Sequence, residues 1–285
     1  MKILIIIPIF NEANHLDKCL RSFINQTIKP TNLILVNDGS TDDSKKIINR
    51  YSKNFPWIYS YDNISNGGAK IGKKIIKAFN FGKSKSNINY DLIGKFDGDI
   101  VLPKTYFEQM IKHFKKNNKI GICSGTLYIK KNDKWIYEDL HNKDHIRGAL
   151  KLYSKKCFDD IGGLIENLGW DTVDELLAMY FKYKTKVDNK IIVKHLRATS
   201  ERYDQKLIYR QGELMYKLRY GIFISSIATF KLFWKRKKIN TITECFLGYY
   251  SAYKNKKIFF VSKEQGHFIR RYRIKNIIKK IFLIN

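Results

Sequence analysis

The stretch Lys2-Ile3-Leu4-Ile5-Ile6-Ile7-Pro8 constrains the fold more than any other. A continuous apolar run, rich in β-branched side chains and without polar alternation, marks a strand buried on both faces. The loop Ile9-Phe10-Asn11-Glu12 follows, and a helical pattern over residues 13–26 puts Leu16, Cys19, Leu20 and Phe23 on one face. A second apolar run, Leu33-Ile34-Leu35-Val36, ends in Asn37-Asp38-Gly39-Ser40-Thr41-Asp42-Asp43-Ser44, which is rich in N-cap residues for a helix through Ile47 and Ile48. Strand, helix, strand, helix at this spacing predicts a parallel sheet built from βαβ units. Ligands on such sheets gather at the carboxyl ends of the strands.

A third strand is expected over residues 58–61. Asn66-Gly67-Gly68-Ala69-Lys70 then opens a helix through Ile71, Ile75, Ala78 and Phe79. A glycine pair at a helix start lets a phosphate approach backbone amides, with Lys70 or Lys73 adding charge; an ordinary helix start reads the same way. The spacing is not that of a P-loop, which argues against nucleoside triphosphate hydrolysis. Next, Tyr90-Asp91-Leu92-Ile93-Gly94 leads into Lys95-Phe96-Asp97-Gly98-Asp99, read as the exposed end of a buried strand. Two carboxylates one residue apart can turn toward one hard divalent cation, although Asp-Gly-Asp also occurs in turns. The loops at Asn11-Glu12, Asp38-Gly39 and Asp97-Gly98-Asp99 therefore fall around one crevice.

Further on, a helix is expected over residues 106–114, with strands over 120–129 and 146–153 and a short helix ending at Ile161-Gly162-Gly163. The segment Gly169-Trp170-Asp171-Thr172-Val173-Asp174-Glu175 precedes a helical run over residues 176–182. Asp171 and Asp174 are three apart at a helix start and share a face. They serve there either as dipole-favoured capping charges or as a catalytic base. Trp170 beside them offers a flat apolar surface on which a sugar ring can stack, or a core side chain. A strand over residues 187–193 ends in Lys194-His195-Leu196-Arg197. His141 and His145 lie four apart with no third ligand nearby, and read as a surface or acceptor loop.

Composition narrows the partners. The 285 residues include 54 basic against 26 acidic side chains, a net charge of +28, which calls for an anionic partner. The excess gathers in residues 204–285, which are helical, aromatic and basic: residues 254–280 contain ten Lys or Arg against Glu264 alone. Ile274, Ile277, Ile278 and Ile281 align on one helical face with Lys275, Lys279 and Lys280 elsewhere, the pattern of a helix lying on anionic lipid. A subunit-packing helix or a nucleic-acid arm would look similar, but nothing earlier resembles a nucleic-acid module. Cys19, Cys123, Cys157 and Cys245 are scattered singly, which disfavours a zinc framework and suits free thiols in a reducing compartment. No signal peptide is expected, since the apolar start is halted by residues 8–12. No uncharged run reaches the ~20 residues of a membrane span, residues 220–230 stopping at Lys231.

In order and spacing, Pro8-Ile9-Phe10-Asn11-Glu12, Val36-Asn37-Asp38-Gly39-Ser40-Thr41-Asp42 and Asp97-Gly98-Asp99 resemble the family 2 glycosyltransferases of the GT-A fold. The segments at 169–175 and His195-Leu196-Arg197 extend the resemblance to about residue 200, with the last ~80 residues matching loosely. It implies a catalytic domain over residues 1–203 with a Rossmann-like, mostly parallel sheet flanked by helices, and a basic helical extension over 204–285. It also implies a nucleotide-diphospho-sugar donor, Mn²⁺ or Mg²⁺, and inversion at the anomeric carbon. Asp38 would hold the base or ribose, Asp97 would sit against the ribose, and Asp99 would ligate the metal. Pro8, Phe10 and Glu12 would shape the nucleotide pocket, with Lys70 matching a basic position loosely. His195 and Arg197 would lie near the diphosphate or metal, His195 as a metal ligand.

Relatives carry the base in a Glu-Asp pair at a helix start, about two dozen residues before a His. Counting back from His195 lands on Trp170-Asp171, whereas the acidic pair present is Asp174-Glu175. Asp174 is favoured narrowly, then Asp171, with Glu175 a third candidate.

The expected activity is transfer of a sugar, from a UDP-sugar by preference, to a lipid-linked or polysaccharide acceptor at the cytoplasmic face of the membrane, the protein being peripheral there. Transfer to a polyprenyl phosphate is the nearest rival. A non-catalytic basic protein binding membrane or nucleic acid is the alternative of another class. Sugar-nucleotide synthesis fits less well, because the glycine-rich loop it needs after the first strand is replaced by Pro8-Ile9-Phe10-Asn11-Glu12.

Overall fold

The computed structural model describes residues 1–63, 72–138, 145–197 and 205–282. The chain divides into two compact units, Met1–Thr199 and Ser200–Asn285. The boundary expected at 203/204 falls outside the described residues.

In the first unit the opening runs form the strands their composition predicts. β1 (Ile3–Ile9) lies between β2 (Asn32–Asn37) and β4 (Leu92–Phe96), parallel to both, and β2 pairs in parallel with β3 (Ile58–Asp62). Pairing on both edges and packing on both faces explain why Ile3 to Ile7 are completely buried. The intervening helices are α1 (Ala13–Ile24), α2 (Ser44–Asn54) and α3 (Lys73–Ser84). α1 turns Leu16, Cys19, Leu20 and Phe23 into the core, the face its periodicity predicts.

Beyond β4 the sheet becomes mixed. The later elements are β5 (Ile100–Val101), α4 (Tyr106–Lys116), β6 (Ile120–Lys131), β7 (Lys134–Tyr137), β8 (Leu150–Ser154), α5 (Lys155–Asp160), α6 (Trp170–Tyr180) and β9 (Lys184–His195). The strand order is β3-β2-β1-β4-β8-β6-β9-β5, with β7 paired to β6. β8 runs antiparallel to β4, and β5 antiparallel to β9 with Ile100 opposite His195. That last register brings the two ends of the unit's sequence signal together: Leu196 N–H donates to the Asp99 carbonyl at 2.8 Å. Beneath this corner the rings of Phe23, Phe96, Tyr106 and Phe107 pack with centroids 5.3 to 5.9 Å apart, a rigid aromatic floor.

Two segments depart from the sequence expectation. The strand read over 146–153 begins only at Leu150, because the Ile146 N–H is taken by the Glu175 carboxylate at 2.8 Å rather than by a neighbouring strand. The helix read from 176 starts earlier, at Trp170, after Gly169 in the left-handed region (φ 74°).

Among the described residues the second unit contains four helices: α7 (Gln205–Lys217), α8 (Gly221–Arg236), α9 (Asn240–Lys254) and α10 (Lys263–Ile281). α7 and α9 cross at two glycines. A Cβ on Gly212 would lie 1.9 Å from the Cys245 carbonyl oxygen, and one on Gly248 1.9 Å from that of Tyr209, so only glycine permits this approach. α10 opens with a complete capping box between Ser262 and Gln265. Among the described residues no helix is long and apolar enough to cross a membrane.

Candidate functional site

The carboxyl ends of β1, β2 and β4 place three acidic loops side by side. Asp38, just past β2, donates its N–H to the Ile9 carbonyl at 2.8 Å, and Gly39 turns the chain at φ 76°. The Asp38 carboxylate is buried, accepts from Asn63 Nδ2 at 2.9 Å and lies 3.6 Å from Lys74 Nζ. Lys74 also sits 4.1 Å from the centroid of the half-exposed Phe10 ring. The basic position expected at Lys70 lies outside the described residues; Lys74, one turn into the same region, had no motif to mark it. Pro8 is the partly exposed position of the otherwise buried β1.

The Asp-Gly-Asp stretch is less exposed than its sequence suggests. Lys95 is 2% exposed, with its ammonium held by the Asp97 carboxylate and by the Gly148 carbonyl at 3.0 Å. Asp97 keeps about a third of its side chain in solvent, whereas Asp99 is buried. Around Asp99 the structure gathers Glu12, His195 and Arg197. The Arg197 guanidinium bonds Glu12 and lies 3.1 Å from Asp99 Oδ2, and His195 Nε2 lies 3.5 Å from Asp99 Oδ1. On the other side of the imidazole, Nδ1 is 3.0 Å from Glu138, a buried carboxylate that Arg147 approaches at 3.4 Å.

These contacts set the charges. Burial alone would lift the Asp99 carboxyl, but the close approach and charge of His195, with the charges of Arg197 and Lys95, hold it below its ordinary value. Glu12 goes the other way: burial and the nearby Asp99 charge raise it to about 7 in spite of Arg197. His195 is raised to about 9, its burial outweighed by Asp99 and Glu138.

Two atoms of this cluster are unsatisfied. Glu12 Oε2 and Asp99 Oδ1 are buried and accept no hydrogen bond among the described residues. Buried acceptors without donors are costly, and oxygen donors of this kind fit a hard divalent cation. No group of three or more His, Cys, Asp or Glu side chains among the described residues is arranged to hold a metal by itself. Glu12 and Asp99 supply two such oxygens here, with the His195 imidazole beside Asp99. Glu138 supports His195 as outer-sphere carboxylates commonly support a metal-binding imidazole.

A second carboxylate cluster stands at the start of α6. Asp174 is 2% exposed; Lys151 Nζ reaches its two oxygens at 2.8 and 2.9 Å and the Tyr153 hydroxyl donates at 2.5 Å. Glu175 accepts from Ile146 N–H and lies 3.1 Å from His145 Nδ1 and 3.4 Å from Lys151. Burial lifts the Asp174 carboxyl against the pull of Lys151, whereas at Glu175 the effect of burial is overcome by Lys151 and His145, which hold it low. Asp174, the narrowly favoured base, and Glu175, the third candidate, are both enclosed and engaged by the protein's own donors. Asp171 retains 30% of its side-chain surface, with His145 Nε2 at 3.8 Å.

His145 is also not the surface residue expected. It is 14% exposed, and although burial opposes its charge, hydrogen bonds to Asp171 and Glu175 raise it to about 9. His141 lies outside the described residues. Between the two clusters stands Trp170, buried, with Lys95 Nζ 5.4 Å and Lys151 Nζ 5.6 Å from its ring centroid. Its place is with the two lysines rather than on an open surface.

The mixed α/β sheet with flanking helices is the fold of GT-A transferases, and solved structures share that fold. TarS from S. aureus superposes with a TM-score of 0.60 at 14% identity over 81% of this chain and 43% of that one. The mannosyltransferase PcManGT from Pyrobaculum calidifontis, solved in complex with GDP-Man and Mn²⁺, gives 0.55 at 12% identity over 100% of this chain and 88% of that one. Residues 4–168 match the family described as Glycosyl transferase family 2, and the chain belongs to that family. Curated relatives include glycosyltransferase GlyA of Streptococcus pneumoniae, 30% identical over 60% of this chain and 27% of that protein. The chondroitin synthase of Pasteurella multocida is 32% identical over 43% of this chain and 12% of the synthase. The chain thus spans about a quarter or less of the length of these two relatives.

Proposed function

We propose that the chain transfers a sugar, with inversion, from a nucleotide-diphospho-sugar to a lipid-linked or polysaccharide acceptor in cell-surface glycan synthesis, working as a peripheral protein at the cytoplasmic face of a membrane. The observation that carries this is the pair of buried oxygens, Glu12 Oε2 and Asp99 Oδ1, that accept no hydrogen bond among the described residues and lie beside Arg197 and His195. In this reading Asp38, Pro8 and Phe10 receive the nucleoside, with Lys74 joining them and Lys70 retained from the sequence. Asp97 faces the ribose. Asp99 and His195 would hold Mn²⁺ or Mg²⁺, whose chemistry is to take up the charge that builds on the departing diphosphate. Arg197 adds a fixed positive charge to that same region.

The acceptor hydroxyl oxygen attacks the anomeric carbon as the bond from that carbon to the diphosphate oxygen breaks. The hydroxyl proton passes to Asp171, the one α6 carboxylate with an open face, in the manner of a general base. Its neighbours Asp174 and Glu175 fix the helix end that carries it. UDP is favoured as the nucleotide. TarS has been solved with UDP-GlcNAc and PcManGT with GDP-Man, so the test spans both. Relatives named chondroitin synthase, poly-beta-1,6-N-acetyl-D-glucosamine synthase and cholesterol galactosyltransferase favour a glycan or lipid acceptor.

The test is incorporation of radiolabelled sugar from a panel of UDP- and GDP-sugars with Mn²⁺, using lipid-extracted and polysaccharide fractions as acceptors. Incorporation from one donor into one fraction is expected. Absence of incorporation and of donor consumption across the panel would contradict the proposal.

A further inference from the structure

Helix α8 is built inside out. Its buried face carries Ile224, Ser225 and Thr229, and the Ser225 hydroxyl is enclosed without a hydrogen-bond partner among the described residues. Its outward face carries Phe223, Ile227, Phe230 and Trp234, spaced four, three and four apart and so stacked along one side. Phe223 is 66% exposed, Phe230 56% and Trp234 81%, and Ile222 and Ile239 at either end are equally open. On α9, Leu247 and Tyr250 are also more than half exposed. A helix of a water-surrounded domain places its apolar stripe toward the core, and a contiguous exposed apolar surface marks an interaction site.

The surroundings of this face say what covers it. Residues 214–243 contain seven basic side chains, Lys217, Arg219, Lys231, Lys235, Arg236, Lys237 and Lys238, and no Asp or Glu. Five of the seven lie at or just beyond the C-terminal end of the apolar stripe, beside Trp234. An apolar aromatic stripe with a basic border and no acid complements an anionic bilayer: rings enter the boundary between headgroups and acyl chains while lysines meet lipid phosphates. At 16 residues α8 is too short to span, and it would lie in the plane of the surface.

We infer that the exposed face of α8, with Phe223, Phe230 and Trp234 as its apolar anchors, docks this protein on an anionic lipid surface. This deepens the peripheral-membrane part of the function proposed above and moves the contact away from α10, where the sequence pattern put it. On α10 the exposed Ile274 and Ile278 alternate with equally exposed Lys275 and Lys279, so charge and apolar surface share the same side.

The test uses the full chain and vesicles of phosphatidylcholine, with or without about one-third phosphatidylglycerol. Wild type should sediment with the anionic vesicles at least tenfold more strongly than with the neutral ones, and salt should weaken it. Phe230→Ser with Trp234→Ser should lose at least tenfold in binding, while Ile274→Ser with Ile278→Ser stays within about twofold. Brominated lipid should quench indole fluorescence in wild type and much less in Trp234→Phe, a reading that needs no disruptive substitution. Equal vesicle binding by the Phe230/Trp234 variant would overturn the inference. So would a wild type that ignores vesicles and instead forms a dimer the same substitutions dissolve. Vesicle binding requires no donor, so absent sugar transfer with intact binding would count against the transferase reading alone.

Discussion

The two carboxylate clusters of the α/β unit contain similar residues and are wired in opposite ways. Around Asp174 and Glu175 every described donor within reach is used: Lys151, Tyr153, His145 and the Ile146 amide all bond to them. Around Glu12 and Asp99 the described donors run out: Glu12 Oε2 has none, and Asp99 Oδ1 has only His195 Nε2 at 3.5 Å. Burial, with the like charge of Asp99 close by, raises Glu12 to about 7. A protein enclosing carboxylates for stability completes their hydrogen bonds, and one enclosing them for a ligand leaves acceptors vacant. On the proposed function, the first cluster supports the backbone that carries Asp171, and the second receives the metal.

That contrast can be broken by substitution. Asp171→Asn should lower kcat by about 10²- to 10⁴-fold, the usual contribution of a positioned base, with donor binding nearly unchanged and melting temperature lowered less than by Asp174→Ala. Asp174→Ala should instead cost about 3–5 kcal/mol of stability by stranding the Lys151 ammonium in the core, seen as a lowered urea midpoint. If Asp174→Ala keeps its stability and loses only turnover, the assignment of the two aspartates is reversed.

A subtler probe uses pH. Folding raises His145 from 6.5 to about 9. Its contribution to stability is thus complete below about pH 6.5 and disappears as pH rises through about 9. The urea midpoint of wild type should exceed that of His145→Gln by an amount on the order of 1–3 kcal/mol at pH 6 and converge with it near pH 10. A gap that stays constant across this range would place His145 outside the ion network.

How much of this could be read from the chain depends on what each signal measures. Runs of β-branched residues report burial directly, so β1, β2 and their helices were legible, as was the gathering of the Glu12 and Asp99 loops at one edge, whereas His195 and Arg197 were brought there only by the family resemblance. What failed was the environment of single polar residues. Lys95 reads as a strand-end solvent charge and Lys151 falls within an expected strand, yet both are enclosed, because the antiparallel pairing of β4 with β8 sets them opposite each other beside Trp170. Glu138 carries no motif and reaches His195 only through the folding of β7 onto β6 and of β6 beside β9. Asp171 and Asp174 share a face by spacing, as expected, yet one lies deeper than the other, and depth is a property of packing that periodicity does not encode. On α8 the apolar pattern was visible, whereas its outward direction was not.

The most direct test of the ligand-ready cluster is calorimetric titration of UDP and GDP into wild type and Asp99→Ala, each with and without Mn²⁺. One nucleotide should bind wild type only when Mn²⁺ is present and should fail to bind Asp99→Ala, while the variant's melting temperature moves less than that of Asp174→Ala. Metal-dependent binding that survives in Asp99→Ala would contradict the account, because the vacant oxygen it assigns to the metal would then be holding nothing.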